Sequence, residues 1–221
     1  PAMPSPMKLD HAVINVGYQM DQAKASFENL GFHLTERGYH SLGSINHLMM
    51  FGRDYAELIG LPEAARAAGT TRTDIANAAL GINGLVFKSA NVDDTYAHLQ
   101  ALGMSGDPPK SFSRPVDLTD GSKDACFRTV AVRNGVFPGG RVYFCEHLTP
   151  ELVWRPEWQS HANGVLSIAE FVVVTSEHQQ QAEQFSRLLD SPAHNDRETH
   201  TVAFAGGKIT IVSPAAYRER Y

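Results

Sequence analysis

Hydrophobic positions near the start of the chain follow a strand period and then a helical one. Residues 9–16, LDHAVINV, form a β-branched run that is typical of a strand. Apolar side chains recur every three or four positions in residues 21–30, and Gly31 follows as a helix C-cap would. Glycine-bounded apolar runs then predict three more strands, at 32–35, 45–51 and 55–61. The pattern predicts a β-α-β-β-β unit over residues 8–62.

A second copy of this pattern occupies residues 81–160, after a linker at 63–80. It predicts a first strand, a helix and two later strands, at 82–89, 92–102, 127–133 and 141–147. Residues 105–124 contain three prolines and two glycines, so we expect them to form a long inserted loop.

The two copies align at a constant offset. Asp21 matches Asp93 and Gly31 matches Gly103, in each case 72 positions later. The same offset places Asn83 opposite His11.

A third copy is predicted over residues 163–221. It has a strand at 165–175, a helix at 177–189 and a hairpin at 201–212, so it reads as a shortened βαββ module. An offset of 159 aligns Glu170 with His11. If such modules pair two by two, the third needs a partner. A truncated chain, a homodimer contact and a fourth module are the alternatives.

Composition restricts the class of partner. The chain has 221 residues, 43% of them hydrophobic, a formal net charge of −5 and no cluster of basic residues. Nucleic-acid and membrane-surface partners are therefore not expected, because both need clustered cationic charge. Two cysteines, no apolar stretch of membrane-spanning length and no signal-peptide pattern favour a cytoplasmic protein.

The repeated βαβββ pattern, with LDH on a first strand and AELIG on a last strand, resembles the vicinal oxygen chelate superfamily. The segments GSINHLMMF and YFCEHLTPELVWRPEW resemble its glyoxalase-like bacterial branch. The resemblance implies an α+β fold in which βαβββ modules pair into a curled mixed sheet. It also implies a cup that binds a divalent metal ion and a small-molecule substrate.

The resemblance implies which residues hold the metal. The glyoxalase pattern takes a ligand from the first and last strands of each module, which gives His11, Glu57 and Glu146, with Asn83 in the fourth position. Asn83 is a poor substitute for histidine, so three good ligands would leave positions for water or substrate. Zinc, nickel, manganese, cobalt and iron all suit such a mixed set.

Strand alternation supports part of this set independently. His11 shares a face with Val13 and Asn15, and Glu57 shares one with Tyr55 and Ile59. A carboxylate among aliphatic neighbours needs a cation or several donors to compensate its burial. Glu57, Glu146 and Glu170 all pose this problem.

Other assignments stay open beside these. A one-residue register slip would point His147 inward instead of Glu146. Glu170 is a candidate ligand or base of the third module. His47 either contacts substrate or is a hydrogen-bonded core histidine. Cys145 alternates with Glu146 and is expected to face the other side.

The favoured hypothesis is a metal-dependent lyase or isomerase that acts on a small oxygenated substrate through a chelated enediolate. Glu146 or Glu57 would move the proton between adjacent carbons. An extradiol-type dioxygenase would need His47 or His147 as a second histidine. A metal-free, drug-sequestering binding protein would use the same cup without chemistry.

Overall fold

The computed structural model describes residues 7–221. The first module has the predicted element order, although its second strand is short and starts later than the pattern indicated. Its elements are β1 (Leu9–Gly17), α1 (Met20–Asn29), β2 (Gly38–Tyr39), β3 (Ile45–Met50) and β4 (Tyr55–Gly60). Two short helices follow, α2 (Ala64–Ala68) and α3 (Thr73–Ala76).

The second module repeats this order, and its second, third and fourth strands are longer than those of the first module. Its elements are β5 (Gly81–Lys88), α4 (Val92–Ala101), β6 (Lys110–Leu118), β7 (Gly121–Ala131) and β8 (Arg141–His147). The prediction of a long loop at residues 105–124 is wrong, because β6 pairs with β7 there in a continuous antiparallel hairpin. Pro115 is tolerated there since β6 is the edge strand of its sheet, where a missing N–H breaks no ladder.

The third module is not shortened. Its elements are β9 (Glu170–Val174), α5 (His178–Leu189), β10 (Ala193–Asp196), β11 (Thr199–Phe204) and β12 (Gly207–Val212), followed by α6 (Pro214–Arg220). The sequence pattern missed β10 because its residues, AHND, include no β-branched or aromatic side chain.

All three modules have the same strand order. The first two form one eight-stranded sheet, β2-β3-β4-β1-β5-β8-β7-β6, and the third forms a four-stranded sheet, β10-β11-β12-β9. In each module the first strand is parallel to the last. β1 and β5 join the first two modules as an antiparallel pair. The predicted α+β fold with a curled mixed sheet is confirmed.

The two faces of the eight-stranded sheet have different roles. One face, which we call the cup face, carries His11, Val13, Tyr55 and Glu57. The other face, the helix face, packs under the helices: Leu58 lies in a core with Met20 of α1, and Phe87 in a core with Leu99 of α4.

The third module packs on the helix face of the second. Phe185 and Leu188 of α5 share a core with Phe87 and Phe144 of the large sheet. This burial fixes the position of the third module without covering the cup.

Candidate active site

The cup face surrounds a cavity of about 610 Å³. This volume is in the range of small-molecule sites. Side chains from six strands of the large sheet and from the adjoining loops reach it, including His11, His40, Glu57, Arg114 and Tyr143.

His11 and Glu57 meet at the floor of this cavity. Their Nε2 and Oε2 atoms are 3.3 Å apart, and both side chains are almost fully buried. The contact follows from register, because β1 and β4 are parallel and Glu57 pairs with Val13, two residues beyond His11. The predicted juxtaposition of His11 and Glu57 is therefore present.

A β-bulge brings Asp10 to the same site. Leu9 pairs with Phe87 and His11 with Val86, so Asp10 is the extra residue on β1. A bulge re-aims a side chain that regular alternation would send to the opposite face. Asp10 Oδ1 lies 2.6 Å from His11 Nδ1, which directs Nε2 of the same ring toward the cavity.

Asp10 is fully buried and has three cationic or donor neighbours. His147 Nε2 donates to Oδ1 at 3.0 Å and Lys88 Nζ donates to Oδ2 at 3.1 Å, in addition to His11. Burial alone would raise the pKa of Asp10, but the hydrogen bonds from His11 and His147 outweigh it and hold the pKa well below its usual range. Asp10 is therefore a buried anion.

The pKa shifts of His11 and Glu57 both favour the charged form of the side chain. Burial would lower the pKa of His11, but its hydrogen bonds to Asp10 and Glu57 raise it above the ordinary value. Burial would raise the pKa of Glu57, but the hydrogen bond and charge of His11 lower it to about 2. Both shifts favour an imidazolium beside a carboxylate at the floor of the cavity.

Two further polar residues support Glu57. Asn46 Nδ2 donates to Glu57 Oε1 at 2.9 Å, and His40 Nε2 lies 3.8 Å from the same oxygen. Burial lowers the pKa of His40 to about 4, so its ring is neutral at pH 7. The carboxylate is held in one orientation, with its reactive edge toward His11.

Tyrosines enclose the imidazole of His11. The ring of Tyr55 stacks on it at 4.4 Å between centroids, and the hydroxyl of Tyr143 lies 3.4 Å from Nε2. Burial raises the pKa of both phenols, so they are neutral donors.

Arginines give the cavity a positive wall. Arg114 is 7% exposed, lines the cavity and forms no ion pair within residues 7–221. Arg72 and Arg141 lie nearer the rim and share the carboxylate of Asp74. Since an unpaired buried cation is costly, Arg114 favours an anionic ligand.

The structure does not bring Glu146 to this site. Its carboxylate accepts a hydrogen bond from the N–H of Val92 at the start of α4 and lies 3.7 Å from Arg128, on the helix face. His147 points to the cup side instead, as the register alternative anticipated. Cys145 is also on the cup side, within the core of Tyr55 and Phe127, so its expected orientation was wrong.

Asn83 is also separate from His11. Val13 pairs with Gly84 and Ile14 with Ile82, which leaves Asn83 in a bulge of β5. It lines an apolar cleft on the helix face rather than the cup. The strand partner of His11 is Val86, which supplies no ligand atom.

The remaining candidates lie elsewhere. His47 faces the helix side, where Nδ1 bonds to the carbonyl of Thr35 at 2.7 Å, so it is a hydrogen-bonded core histidine. Glu170 belongs to the third module, where it accepts a hydrogen bond from Thr210 and lies 3.7 Å from Lys208.

The four-ligand metal site implied by the resemblance is not assembled. Of the four implied ligands only His11 and Glu57 meet, whereas catalytic zinc sites have three protein ligands. His40 lies near Glu57, but within residues 7–221 these three side chains do not form a compact ligand group. Asp10, Cys145 and His147 form a second group whose ligand atoms lie within 4.8 Å of one another. There the ammonium of Lys88 already lies on Asp10 and stacks over Trp154 at 3.7 Å, so the group has a cation of its own. The residues present therefore do not fit the glyoxalase-type centre.

Comparison of the sequence with models of known protein families assigns the chain to a family. The glyoxalase-like domain family matches residues 9–189. The chain belongs to this family. The resemblance to the vicinal oxygen chelate superfamily is thereby confirmed. No curated protein matches the chain.

Several solved structures share the fold of this chain. A hypothetical protein from Staphylococcus aureus is 14% identical, with a TM-score of 0.73, over 94% of this chain and 86% of that one. A variant of 4-hydroxymandelate synthase from Streptomyces coelicolor is 16% identical, with a TM-score of 0.55, over 97% of this chain. This chain covers only 64% of the synthase.

A third match is a fusion of a xylose isomerase-like TIM barrel with 4-hydroxyphenylpyruvate dioxygenase. It is 14% identical, with a TM-score of 0.57, over 100% of this chain and 35% of that protein. These likenesses show the fold alone. Within residues 7–221, no helix has the length and apolar character of a membrane span.

Sequence reasoning missed several residues of the site. Asp10 and Tyr143 contact His11, and His40 and Asn46 lie beside Glu57. Asn46 and Tyr143 could have been found by alternation from a correctly assigned neighbour. Asp10 could not, because a bulge has no signal in this sequence.

Proposed function

We propose that this glyoxalase-like protein is a lyase or isomerase that moves a proton between adjacent carbon atoms of a small, anionic, oxygenated substrate. The observation that carries the proposal is the buried His11–Glu57 contact, with Nε2 and Oε2 3.3 Å apart at the floor of a cavity of about 610 Å³. A fixed acid beside a fixed base is what enolisation requires.

His11 is the proposed acid. Its Nδ1 is occupied by Asp10, so the proton on Nε2 is the one that reaches the cavity. That proton would be donated to the substrate carbonyl oxygen as negative charge develops there. The hydroxyl of Tyr143, 3.4 Å from Nε2, is a second donor for the same oxygen.

Glu57 is the proposed base. Its carboxylate would take the proton from the hydroxyl-bearing carbon next to the carbonyl and return it to the former carbonyl carbon of the enediol. In the second step the neutral His11 would take the proton from the other enediol oxygen, so that the new carbonyl forms and both residues regain their starting protonation states. The pKa of about 2 reflects the adjacent imidazolium. As His11 gives up its proton, that charge disappears and Glu57 becomes a stronger base. The two transfers therefore assist each other, and no net charge is created.

Arg114 supports the proposed substrate class. It contributes a desolvated positive charge to the cavity without an ion-pair partner among the described residues. A guanidinium in this setting binds a carboxylate or phosphate through paired hydrogen bonds. An anionic group anchored there would hold the substrate while its carbonyl carbon lies at the floor.

Divalent metal dependence stays a prediction of the resemblance. The ligand set does not fit it, and the acid–base pair supplies the steps above without it. Elemental analysis of protein purified without chelator tests this point: about one metal ion per chain, lost in His11→Ala, would restore the metal-dependent hypothesis.

The proposal is tested by solvent proton exchange. Hydroxyketones and ketoacids bearing a carboxylate or phosphate are incubated with the protein in D₂O, and deuterium at the carbon next to the carbonyl is followed by NMR. We expect catalysed exchange, reduced by about 10²–10⁴-fold in Glu57→Gln. Unchanged exchange in Glu57→Gln would overturn the role of this residue.

The substrate class has its own test. Arg114→Gln should raise KM for the phosphorylated or carboxylated substrate by at least tenfold, with a smaller effect on kcat. An uncharged analogue serves as the control, because its KM should not change. Equal effects on both substrates would contradict the anion-anchoring role.

A metal-free binding protein is the second candidate. Phe112 and Phe127 stack at 5.1 Å and line the cavity, which favours a ligand with an apolar part. Saturable ligand binding without catalysed exchange for any bound ligand would select this function over the enzyme.

A further inference from the structure

The first strand of the third module has one free edge. β9 is the outer strand of the order β10-β11-β12-β9 and pairs only with β12 among the described residues. Its last four residues, FVVV, include no charge, proline or bulge. Edges of soluble proteins are normally protected by such features, because unpaired N–H and C=O groups beside apolar side chains promote association.

The chain itself shows how such an edge is covered. β1 and β5 are the corresponding first strands of the other two modules, and each occupies the same end of its module's strand order. They pair with each other, antiparallel, and thereby join two modules around one cup. β9 has no such partner within residues 7–221.

The third module also repeats the strand register that brings His11 and Glu57 together. His11 pairs with Tyr55, and Glu57 lies two residues further along β4. In the same way Glu170 pairs with Lys208, and Thr210 lies two residues further along β12. Glu170 and Thr210 are hydrogen-bonded, as His11 and Glu57 are in contact.

The surroundings of β9 are apolar and open. A cleft of about 580 Å³ runs along its edge, lined by aromatic and aliphatic side chains of the helix face and of α5. Ile82, which lines this cleft, is 68% exposed, and Leu166, between the lining residues Val165 and Ser167, is 78% exposed. Exposed apolar surface of this kind beside a bare strand edge is typical of a protein interface.

We propose that a second copy of this chain occupies the edge, with the two β9 strands antiparallel about a two-fold axis. A two-fold joint uses the same surface on both copies and closes on itself. The two third modules would then share one eight-stranded sheet, as the first two modules do. Glu170 and Thr210 of both copies would face a common cup that neither copy forms alone.

The full chain is tested by sedimentation velocity between about 1 and 200 µM, which spans the affinities of ordinary dimers. We expect a species of twice the mass of one chain. Val174→Asp is the perturbing variant, because Val174 is 43% exposed and its replacement should not impair folding. In an antiparallel pair of β9 strands, the new carboxylate at position 174 would lie close to Glu170 of the second copy. The two negative charges repel each other, so the dissociation constant of the dimer should rise at least tenfold.

Tyr39→Asp is the matched control. Tyr39 is 58% exposed on β2, at the edge of the other sheet, and should leave dimerisation unchanged. A monomer throughout the concentration range would overturn the proposal, as would equal weakening by both variants.

Hydrogen exchange of the β9 amides gives a second readout that needs no variant. The outward amides should exchange more slowly as the protein concentration rises. Fast exchange at all concentrations contradicts a strand partner. Slow exchange in a proven monomer would mean that something other than a second copy covers the edge.

Discussion

Replacing Asp10 by asparagine removes one charge at nearly constant shape from the centre of the buried network. The carboxylate accepts hydrogen bonds from His11 at 2.6 Å, His147 at 3.0 Å and Lys88 at 3.1 Å, and it is fully buried. Asparagine can still accept from a histidine, but its amide group would face the ammonium of Lys88.

The expected cost follows from these contacts. Removing one partner of a buried ion pair costs about 3–5 kcal/mol, because the remaining charge is left uncompensated. Lys88 is 30% exposed and regains some solvent contact, so we expect the lower end, about 3 kcal/mol. Urea unfolding at pH 7.5, followed by circular dichroism, measures the difference.

The pH dependence has a definite sign. The pKa of Asp10 is lower in the folded protein than its ordinary value of 3.8, so its stabilisation is present above pH 4. It declines as the pH falls below 3.8, and the difference between the wild type and Asp10→Asn should shrink there.

Asp107→Asn is the control for Asp10→Asn. Asp107 forms an ion pair with Lys110 at the surface, so this change should cost under about 1 kcal/mol. A loss below 1 kcal/mol for Asp10→Asn, or equal losses for the two variants, would refute the assignment of Asp10 as the anchor of the site.

Two further predictions concern packing and titration. A Cβ added at Gly84 would lie 2.6 Å from the Cβ of Val13, so Gly84→Ala should lower the free energy of unfolding by about 2 kcal/mol. Gly139→Ala is the control and should not lower it, because Gly139 has open space around it. Equal effects of the two substitutions would contradict the close approach of β1 and β5. The pKa of His40 is about 4 in the folded protein, so its contribution to stability is present above pH 6.5 and is lost as the pH falls toward 4. The free energy of unfolding of His40→Gln should therefore change less with pH across this range than that of the wild type, by at most about 3 kcal/mol. The same pH dependence in both proteins would contradict burial of a neutral His40 ring.

The sequence was sufficient for the floor of the cup because residues 11–15 of β1 and residues 55–59 of β4 alternate regularly between the two faces. Val13, two residues after His11, packs on the cup face, and Glu57 stands between Tyr55 and Ile59 of the same face, so both orientations follow from period two. Strand β8 has buried residues on both faces, with Phe144 under the helices and Cys145 toward the cup. The hydrophobic pattern of β8 therefore could not show whether Glu146 or His147 faces the cup.

Bulges explain the other errors at the site. Each adds a residue to one strand, and the offset of 72 taken from the helices then fails within the strands. Asp10 and Asn83 both lie at such positions, one turned into the site and the other away from it. Neither bulge is marked by glycine or proline at the displaced residue, so composition gave no warning.

The long second hairpin was missed for a different reason. β6 is an edge strand that tolerates proline and carries mostly polar side chains, which are loop signals elsewhere. Its pairing with β7 is nonlocal information that propensity does not contain.

The central claim is that Glu57, and not Glu146, moves the proton. The most direct test compares Glu57→Gln with Glu146→Gln in one solvent-exchange assay, on folded proteins and the same substrate. Both residues are glutamates on strands of the large sheet, but Glu146 lies on the helix face beside Arg128. The account predicts that exchange falls by at least 10²-fold in Glu57→Gln and stays within about twofold of wild type in Glu146→Gln. Loss of exchange in Glu146→Gln with retention in Glu57→Gln would contradict it.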